Sequence, residues 1–339
     1  MGRSEITIDL GALRQNVRRL LEVLEGSELW AVVKADGYGH GALDCGRVAL
    51  EAGASALCAA TVDEAFVLRR ALPDARLIVI GPTVDADVGR ARGARLELVV
   101  GDERIPEGVG VHVKIDTGMG RWGAAELQAP AREVVGVMTH LATADTDLDY
   151  ARRQLERFRE ATEGIEGMTL HAANSAAALR LPESRLDAAR CGIALYGLSP
   201  FGTDPADEGL SPVLRWESEI ALCKLLRPGE STGYGRRFVA ESDTWIGIVP
   251  VGYADGFRRG LTGGDILVDG ARRPVVGTVS MDAFAVALPG PVERGTPVTL
   301  VGNGLLLEEH AQVAGTINYE LACGIDSSPT RARRAIMDA

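Results

Sequence analysis

The sequence lacks the features of secreted, membrane-spanning and nucleic-acid-binding proteins. Only five of its 339 residues are cysteines, and they are scattered without a C-x-x-C pair, which argues against a disulfide framework and a zinc site. No apolar stretch is long enough to cross a bilayer, and the N-terminus shows no apolar signal-peptide core. The net charge is -11 and basic clusters are short, which argues against nucleic acid as the main partner. We therefore expect a cytoplasmic protein with no metal site, no membrane contact and no nucleic acid.

Apolar residues make up 46% of the chain, enough for a sizeable core, and the length suits one large domain with a smaller one. Short apolar runs alternate with amphipathic helical patterns over the first two thirds. The runs are 29–35, 56–61, 76–81, 96–101, 110–118, 134–141, 169–175 and 188–197. Eight such units predict an α/β fold in which residues 1–210 form a (β/α)8 TIM-type barrel. A doubly wound open sheet is the structural alternative.

The pattern of predicted secondary structure changes after about residue 211. Strand-like segments with glycine-rich turns replace the helical patterns, at 216–226, 243–251, 265–268, 273–281 and 297–302. Within 268–270 the Asp-Gly pair favours a tight hairpin turn, because that turn needs positive φ angles. We predict a C-terminal, mostly β domain over residues 211–339.

Polar residues lie where several of the predicted barrel strands end, the edge at which such barrels carry their active sites. They are Lys34, Lys114, Asp116, His140, Asn174 and Ser175, while Arg190 lies on the eighth run. Lys34 follows an apolar run and leads into a glycine-rich turn, so partial desolvation would make it a good amine nucleophile. On position alone, a lysine that merely extends to solvent from the barrel mouth is an equal alternative.

The surrounding string, VVKADGYGHG, is similar to the cofactor-lysine motif of alanine racemases. Further blocks resemble that family in the same order and span nearly the whole chain. They are VKIDTGMGRWG, THLATAD, HAANSAA, RCGIALYG, TGYG, PVGYADG, SMD and INYE. The resemblance implies a cytoplasmic homodimer that uses pyridoxal 5'-phosphate (PLP) to interconvert L- and D-alanine for peptidoglycan, by two-base α-proton transfer on a PLP aldimine.

The resemblance also implies roles for individual residues. Lys34 would carry PLP and act as one catalytic base, and Tyr234 would be the second base, supplied to the other subunit. Arg190 would face the pyridine nitrogen, with His140 linking it toward Tyr234. The other implied cofactor contacts are Tyr38, Asn174, Ser175, Gly192, Ile193 and Tyr319, with Ile80 packing nearby. Arg121 and Met281 would receive the substrate carboxylate.

The family pattern further implies that Lys114 is N-carboxylated, which would turn a cation beside Arg121 into an anion that orients it. Tyr253 and Asp282 match the substrate entrance, which Tyr319 also lines. The chain departs from the pattern at Thr278, where an arginine is frequent, so the shape and charge of its entrance are open and serine is a further candidate substrate.

The chemistry explains these residue types. Racemisation removes the α-proton from one face and returns it to the other, so two opposed bases are the simpler arrangement. An arginine at the pyridine nitrogen donates a proton poorly, which keeps the ring a weak electron sink and favours racemisation over transamination. His112 and His310 are better explained by structural roles, whereas His171 could orient its neighbours.

Other readings predict different features. A PLP-carrier protein would have a similar barrel but no substantial β domain, and a barrel decarboxylase would bring an acidic group to the ring nitrogen and a catalytic cysteine. A Schiff-base aldolase would need no PLP. A secreted broad-spectrum racemase would need a signal peptide. The TGYG and SMD blocks and Arg190 favour the racemase.

Overall fold

The computed structural model describes residues 3–101, 104–127 and 131–338 and contains a closed barrel of eight parallel strands. These strands are β2 (Glu28–Val32), β3 (Ala56–Ala59), β4 (Leu77–Val79), β5 (Glu97–Val100), β6 (Val111–Lys114), β7 (Val134–Met138), β8 (Thr169–His171) and β9 (Ala188–Cys191). The barrel closes because β9 pairs in parallel with β2, with Trp30 opposite Arg190. The predicted barrel is confirmed, and the open-sheet alternative is wrong because no free edge remains.

Among the described residues, seven helical segments accompany the barrel strands: α1 (Leu10–Leu24), α2 (Lys34–Tyr38), α3 (Ala42–Glu51), α4 (Val62–Ala71), α5 (Asp85–Gly93), α6 (Leu148–Ala161) and α7 (Ser175–Arg180). Of these, α2 is a short turn with left-handed backbone angles. Helix α1 begins directly after Asp9, and its buried positions include Leu13, Val17, Leu20 and Leu24, which repeat at helical spacing. The described residues between β5 and β6, and those between β6 and β7, contain no helix. The segment after β6 carries residues of the candidate site.

The remaining sheet has nine strands in the order β11-β14-β17-β16-β15-β18-β10-β1-β19. Its strands are β1 (Ser4–Asp9), β10 (Leu214–Glu219), β11 (Leu222–Leu226), β14 (Thr244–Val249), β15 (Asp265–Val268), β16 (Ala271–Val276), β17 (Phe284–Leu288), β18 (Pro297–Val301) and β19 (Arg333–Met337). A short ribbon, β12 (Ser231–Thr232) with β13 (Phe238–Val239), and helices α8 (Leu307–Ala314) and α9 (Asn318–Cys323) complete this part. All pairs in the large sheet are antiparallel except β1 with β19.

The predicted Asp-Gly hairpin is confirmed. Val268 pairs with Ala271 across the turn, and Asp269 and Gly270 have φ angles of 49° and 74°. The segment 216–226, expected as one strand, is two strands that share the large sheet but have different neighbours, β10 and β11. Strands β1, β17 and β19 were not predicted, since short segments of this kind carry little pattern of their own.

The chain divides into two compact units. One comprises Ala12–Phe201 with Pro205–Ser211, and the other comprises the described residues before Ala12, Gly202–Asp204 and those from Pro212 onward. We refer to them as the barrel unit and the β unit. In the part of the chain that is described, no helix combines the length and the apolar character needed to span a membrane.

Candidate active site

Lys34 lies immediately beyond strand β2, at the start of an unusual left-handed turn. The φ angles of Ala35, Asp36, Gly37 and Tyr38 are 52°, 50°, 63° and 53°. Only glycine adopts this region without strain, so the turn must be held by its surroundings. Two carboxylates hold it: the Ala35 amide donates to Glu64 at 2.8 Å, and the Ala42 amide donates to Asp36 at 2.8 Å. The turn thereby fixes the position of Lys34 at the end of its strand.

Arg190 is a buried cation inside the barrel, with 4% of its surface exposed. Its Nη1 donates to Nδ1 of His171 at 2.7 Å, and its Nη2 donates to the carbonyl oxygens of Thr139 (2.9 Å) and Ala172 (3.1 Å). Nη2 also lies 3.3 Å from Nδ1 of His140. Among the described residues no carboxylate pairs with this guanidinium, and burial lowers its pKa to about 10.

The histidine beside Arg190 begins a line of polar side chains through the barrel interior. Nε2 of His171 lies 3.0 Å from Nδ1 of His112, and Nε2 of His112 lies 2.7 Å from a carboxylate oxygen of Glu97. Arg76 closes the line with two hydrogen bonds to Glu97, of 2.9 and 3.0 Å. Burial lowers the pKa of His171, His112 and His140, the last to about 3, so all three imidazoles are neutral.

A small cradle lies where β8 and β9 give way to helical turns. The Ser175 hydroxyl accepts from the Gly192 amide at 2.9 Å, and Asn174 caps α7 by accepting from the amide of Ala177 at 3.0 Å. A Cβ atom at Gly192 would lie 2.4 Å from the Tyr38 hydroxyl, so only glycine allows that hydroxyl to approach. A hydroxyl, a phenol and backbone amides brought together in this way are groups of the kind that bind phosphate.

Lys114 ends β6 beneath a loop that folds back over it. The loop is fixed by Asp116, whose carboxylate accepts the amides of Gly118, Met119 and Gly120 at 2.8–3.1 Å. Nζ of Lys114 donates to the Trp122 carbonyl and lies 4.3 Å from the centre of the Trp122 ring.

The ionisation of Lys114 is strongly perturbed. Burial, followed by the charge of Arg121, lowers its pKa to about 8. About a tenth of this amine is therefore uncharged at pH 7, far more than for a lysine with an ordinary pKa, and the uncharged form is the nucleophile.

Four predicted residues of the β unit line one cavity of about 890 Å³: Tyr234, Tyr253, Met281 and Asp282. Arg258, Arg259 and Glu320 also line it. Tyr234 is 72% exposed and Met281 is 51% exposed, unusual for large apolar side chains. This wall therefore presents a phenol and a thioether to the space in front of it.

The motifs PVGYADG and SMD form this wall together. The amides of Tyr253 and Ala254 donate to the carbonyl oxygens of Ser280 and Met281, both at 3.0 Å. A Cβ atom at Gly252 would lie 2.3 Å from either of those oxygens, so the close approach requires glycine.

Asp282, predicted at the entrance, pairs with Arg331 at 2.8 Å and with Arg3 at 3.8 Å. Its carboxylate is therefore held in place within the β unit.

The structure thus groups most predicted residues into clusters within each unit. Arg190 meets His140, and Gly192 meets both Tyr38 and Ser175, with Ile193 following in the next turn. Arg121 acts electrostatically on Lys114. Tyr319 lies half-buried on α9.

No sequence motif pointed to Glu97, and His112 was expected to have only a structural role. Both residues could have been noticed in the sequence, because each is a polar residue within an apolar strand that is buried on both faces.

Two family models match the chain: "Alanine racemase, N-terminal domain" over residues 8–200 and "Alanine racemase, C-terminal domain" over residues 213–333. Among curated relatives, alanine racemase 1 of Bacillus subtilis is 40% identical, over 96% of this chain and 91% of the relative. The alanine racemase of Geobacillus stearothermophilus is 37% identical, over 94% and 90%.

Solved structures agree with these matches. The alanine racemase of E. faecalis superposes with a TM-score of 0.89 at 36% identity, covering 98% of both chains. The enzyme from D-cycloserine-producing Streptomyces lavendulae superposes with a TM-score of 0.91 at 35% identity, covering 99% of this chain and 97% of the other. The likeness therefore spans both units.

Proposed function

The chain belongs to the alanine racemase family, and from this premise we propose that it is a PLP-dependent enzyme that interconverts L- and D-alanine and supplies D-alanine for peptidoglycan. One observation carries the proposal beyond family membership. The cation that would face the cofactor ring, Arg190, is buried without a carboxylate partner among the described residues. A guanidinium there would donate a hydrogen bond to the ring nitrogen and leave it unprotonated, which suits racemisation better than transamination.

The residues present fit PLP. The cradle of Tyr38, Ser175, Gly192 and Ile193 suits its phosphate, since a Cβ at Gly192 would fill the space of the Tyr38 hydroxyl. Lys34 would hold the cofactor covalently from its rigid turn. We further assign Asn174 and Tyr319 to this end of the cofactor. When bound, PLP would withdraw electrons from the substrate's α-carbon and so acidify its α-proton.

We assign the two proton transfers to Lys34 and Tyr234. Nζ of Lys34 takes or returns the proton on one face, and the phenol oxygen of Tyr234 does so on the other. Each atom must act as base in one direction and acid in the other. His140, neutral and hydrogen-bonded to Arg190, is the group we place between that cation and Tyr234.

We propose a homodimer in which each site draws on both subunits. The exposure of Tyr234 and Met281 in the β unit supports it, because a wall of this kind is expected to be covered when the site is complete. We keep the proposed domain division at residues 210 and 211. The scattered cysteines, all of them free thiols, support a cytoplasmic location.

We assign the substrate carboxylate to Arg121 and to the backbone of Met281. Tyr253 and Asp282 would limit the entrance to small amino acids. We propose that Lys114 is N-carboxylated: its neutral amine attacks carbon dioxide, a C–N bond forms, and a proton leaves to solvent. The resulting carbamate would orient Arg121, and the lowered pKa of Lys114 supports this because it exposes the reactive form.

The test is incubation of the PLP-loaded protein with L-alanine in D2O, with NMR for loss of the α-proton and chiral analysis for configuration. We expect deuterium incorporation together with approach to an equal mixture of enantiomers. Exchange without inversion would remove Tyr234 as the opposite base. No exchange with PLP bound would contradict the proposed substrate.

The shared site is tested by mixing Lys34→Ala subunits with Tyr234→Ala subunits. One site of the hybrid dimer would then hold both bases, so we expect partial recovery of activity. Subunit exchange is demonstrated separately, for example by mass tagging. If activity does not recover although the subunits have exchanged, the proposal that the partner subunit supplies Tyr234 is contradicted. Lys34→Ala subunits mixed with themselves are the control.

A further inference from the structure

Behind Arg190 the barrel interior contains a polar line that the proposed reaction does not use directly: His171, His112, Glu97 and Arg76. Both histidines are fully buried. Cores of this kind of barrel are ordinarily filled by branched apolar side chains, so a continuous hydrogen-bonded line is a costly feature unless every member is satisfied.

The two ends of the line fix the protons between them. Arg190 can only donate, so Nδ1 of His171 must be unprotonated to accept at 2.7 Å. The carboxylate of Glu97 can only accept, so Nε2 of His112 must carry a proton. The bond between the rings then has one solution, in which Nε2–H of His171 donates to Nδ1 of His112.

Every other proton arrangement fails at one end. If Nδ1 of His112 carried the proton, Nε2 of His171 would have to accept, and its own proton would move to Nδ1. Two donors, on His171 and Arg190, would then face each other at 2.7 Å. An imidazolium at His112 leads to the same conflict.

We propose that Glu97 is a positioning residue for Arg190, the cation assigned to the cofactor. Glu97 sets both histidines in the Nε2–H form, so that Nδ1 of His171, at the other end of the line, is free to accept from Arg190. The effect on PLP rests on the proposed function, whereas the tautomers do not. Arg76 holds Glu97 by two hydrogen bonds, and the Arg76 guanidinium lies 4.8 Å from the centre of the Trp30 ring.

The surroundings of the line support a built arrangement. Trp30 packs against both imidazoles, with centroid distances of 5.4 Å to His112 and 4.5 Å to His171. On β7 a Cβ atom at Gly136 would lie 2.3 Å from Nδ1 of His112, so glycine provides the space for that ring. The rings therefore have little freedom to turn and exchange their nitrogens.

The first test measures the tautomers in the protein without PLP, by long-range 1H–15N NMR of protein labelled at its five histidines. We expect the Nε2–H pattern for both His112 and His171. His310, in the β unit and bonded to the Leu300 carbonyl at 2.7 Å, is the internal reference. A proton on Nδ1 of either ring in the wild type would overturn the proposal.

The second test compares Glu97→Leu with Glu97→Gln. Leucine removes the acceptor, whereas glutamine keeps an acceptor oxygen and removes only the charge. In Glu97→Leu we expect the two 15N shifts of His171 to converge, the absorbance bands of bound PLP to shift, and kcat to fall about tenfold with little change in KM. Glu97→Gln should keep the wild-type histidine pattern.

Native tautomers in Glu97→Leu, or equal disruption by both variants, would contradict the tautomer role. If Glu97→Leu does not fold, Gly136→Ala is used in its place, because the added methyl group displaces His112. Unchanged 15N chemical shifts of His171 in that variant would also contradict the tautomer role. The function and this inference fail separately: a protein with the expected tautomers but no racemisation contradicts only the function.

Discussion

The hydroxyl of Thr278 donates a 2.9 Å hydrogen bond to the backbone carbonyl of Tyr234. Thr278 is buried, and the chain just before Tyr234 approaches so closely that a Cβ at Gly233 would lie 2.8 Å from the Thr278 amide. The family resemblance implies that an arginine is frequent at this position. Here Thr278 holds the turn that carries the proposed second base.

We expect Thr278→Val, which keeps the shape but removes the hydroxyl, to lower kcat about tenfold in both directions by freeing this turn. The lost hydrogen bond should cost about 1 kcal/mol of unfolding free energy. Thr278→Ser retains the donor and is the matched control. Racemisation rates from each enantiomer and denaturant unfolding check the prediction. A Val variant that is less stable but fully active would limit Thr278 to a structural role.

The state of Lys114 should depend on pH. Its pKa is lowered from 10.5 to about 8, so the protonated amine accumulates as pH falls below 8, and the reactive amine declines about tenfold per pH unit there. We therefore expect labelled bicarbonate to modify Lys114 more completely at pH 9 than at pH 6. Native mass measurement and 13C NMR follow the added carboxylate. Lys114→Arg, always charged, is the control, and an unmodified Lys114 at pH 9 would contradict carboxylation.

Gly192→Ala should weaken PLP binding, because the new methyl group would lie 2.4 Å from the Tyr38 hydroxyl. We expect at least about tenfold lower affinity, which corresponds to roughly 1.4 kcal/mol. Adding Tyr38→Phe should restore part of it if that clash is the cause. Gly89→Ala on α5, where a Cβ meets nothing within 4 Å, is the matched control. Equal PLP affinity of the wild type, Gly192→Ala and Gly89→Ala in PLP titrations would contradict the proposal that this cradle binds the phosphate.

Glu97 should contribute to stability in acid. Burial opposes its ionisation, but hydrogen bonds from His112 and Arg76 outweigh burial and lower its pKa from 4.5 to about 2. Because the pKa of this carboxyl is lower in the folded than in the unfolded chain, Glu97 stabilises the folded state when the pH lies above the unfolded pKa of 4.5. This stabilisation is lost as the pH falls from about 4.5 to 2.

Glu97→Gln should flatten this part of the pH–stability curve, a difference on the order of 2 kcal/mol in denaturant unfolding. Glu126→Gln, at an exposed loop position, serves as the control. Parallel curves for Glu97→Gln and the wild type would contradict the assignment.

The sequence by itself determined the elements whose pattern is local. Eight apolar runs predicted the barrel and Asp269-Gly270 predicted its hairpin, because periodicity and positive φ are properties of short segments. The ordered motifs around Lys34 and Arg190 predicted the family, since covalent chemistry constrains residue type and neighbours together.

Only the tertiary structure decided which distant residues meet. Glu97, His112 and His171 lie on three different strands, and their hydrogen bonds arise because barrel closure points all three side chains inward. The strand β1, placed between β10 and β19, and the bond from Thr278 to Tyr234 are equally invisible in a linear pattern. Such contacts depend on packing and register across many residues, which no local propensity encodes.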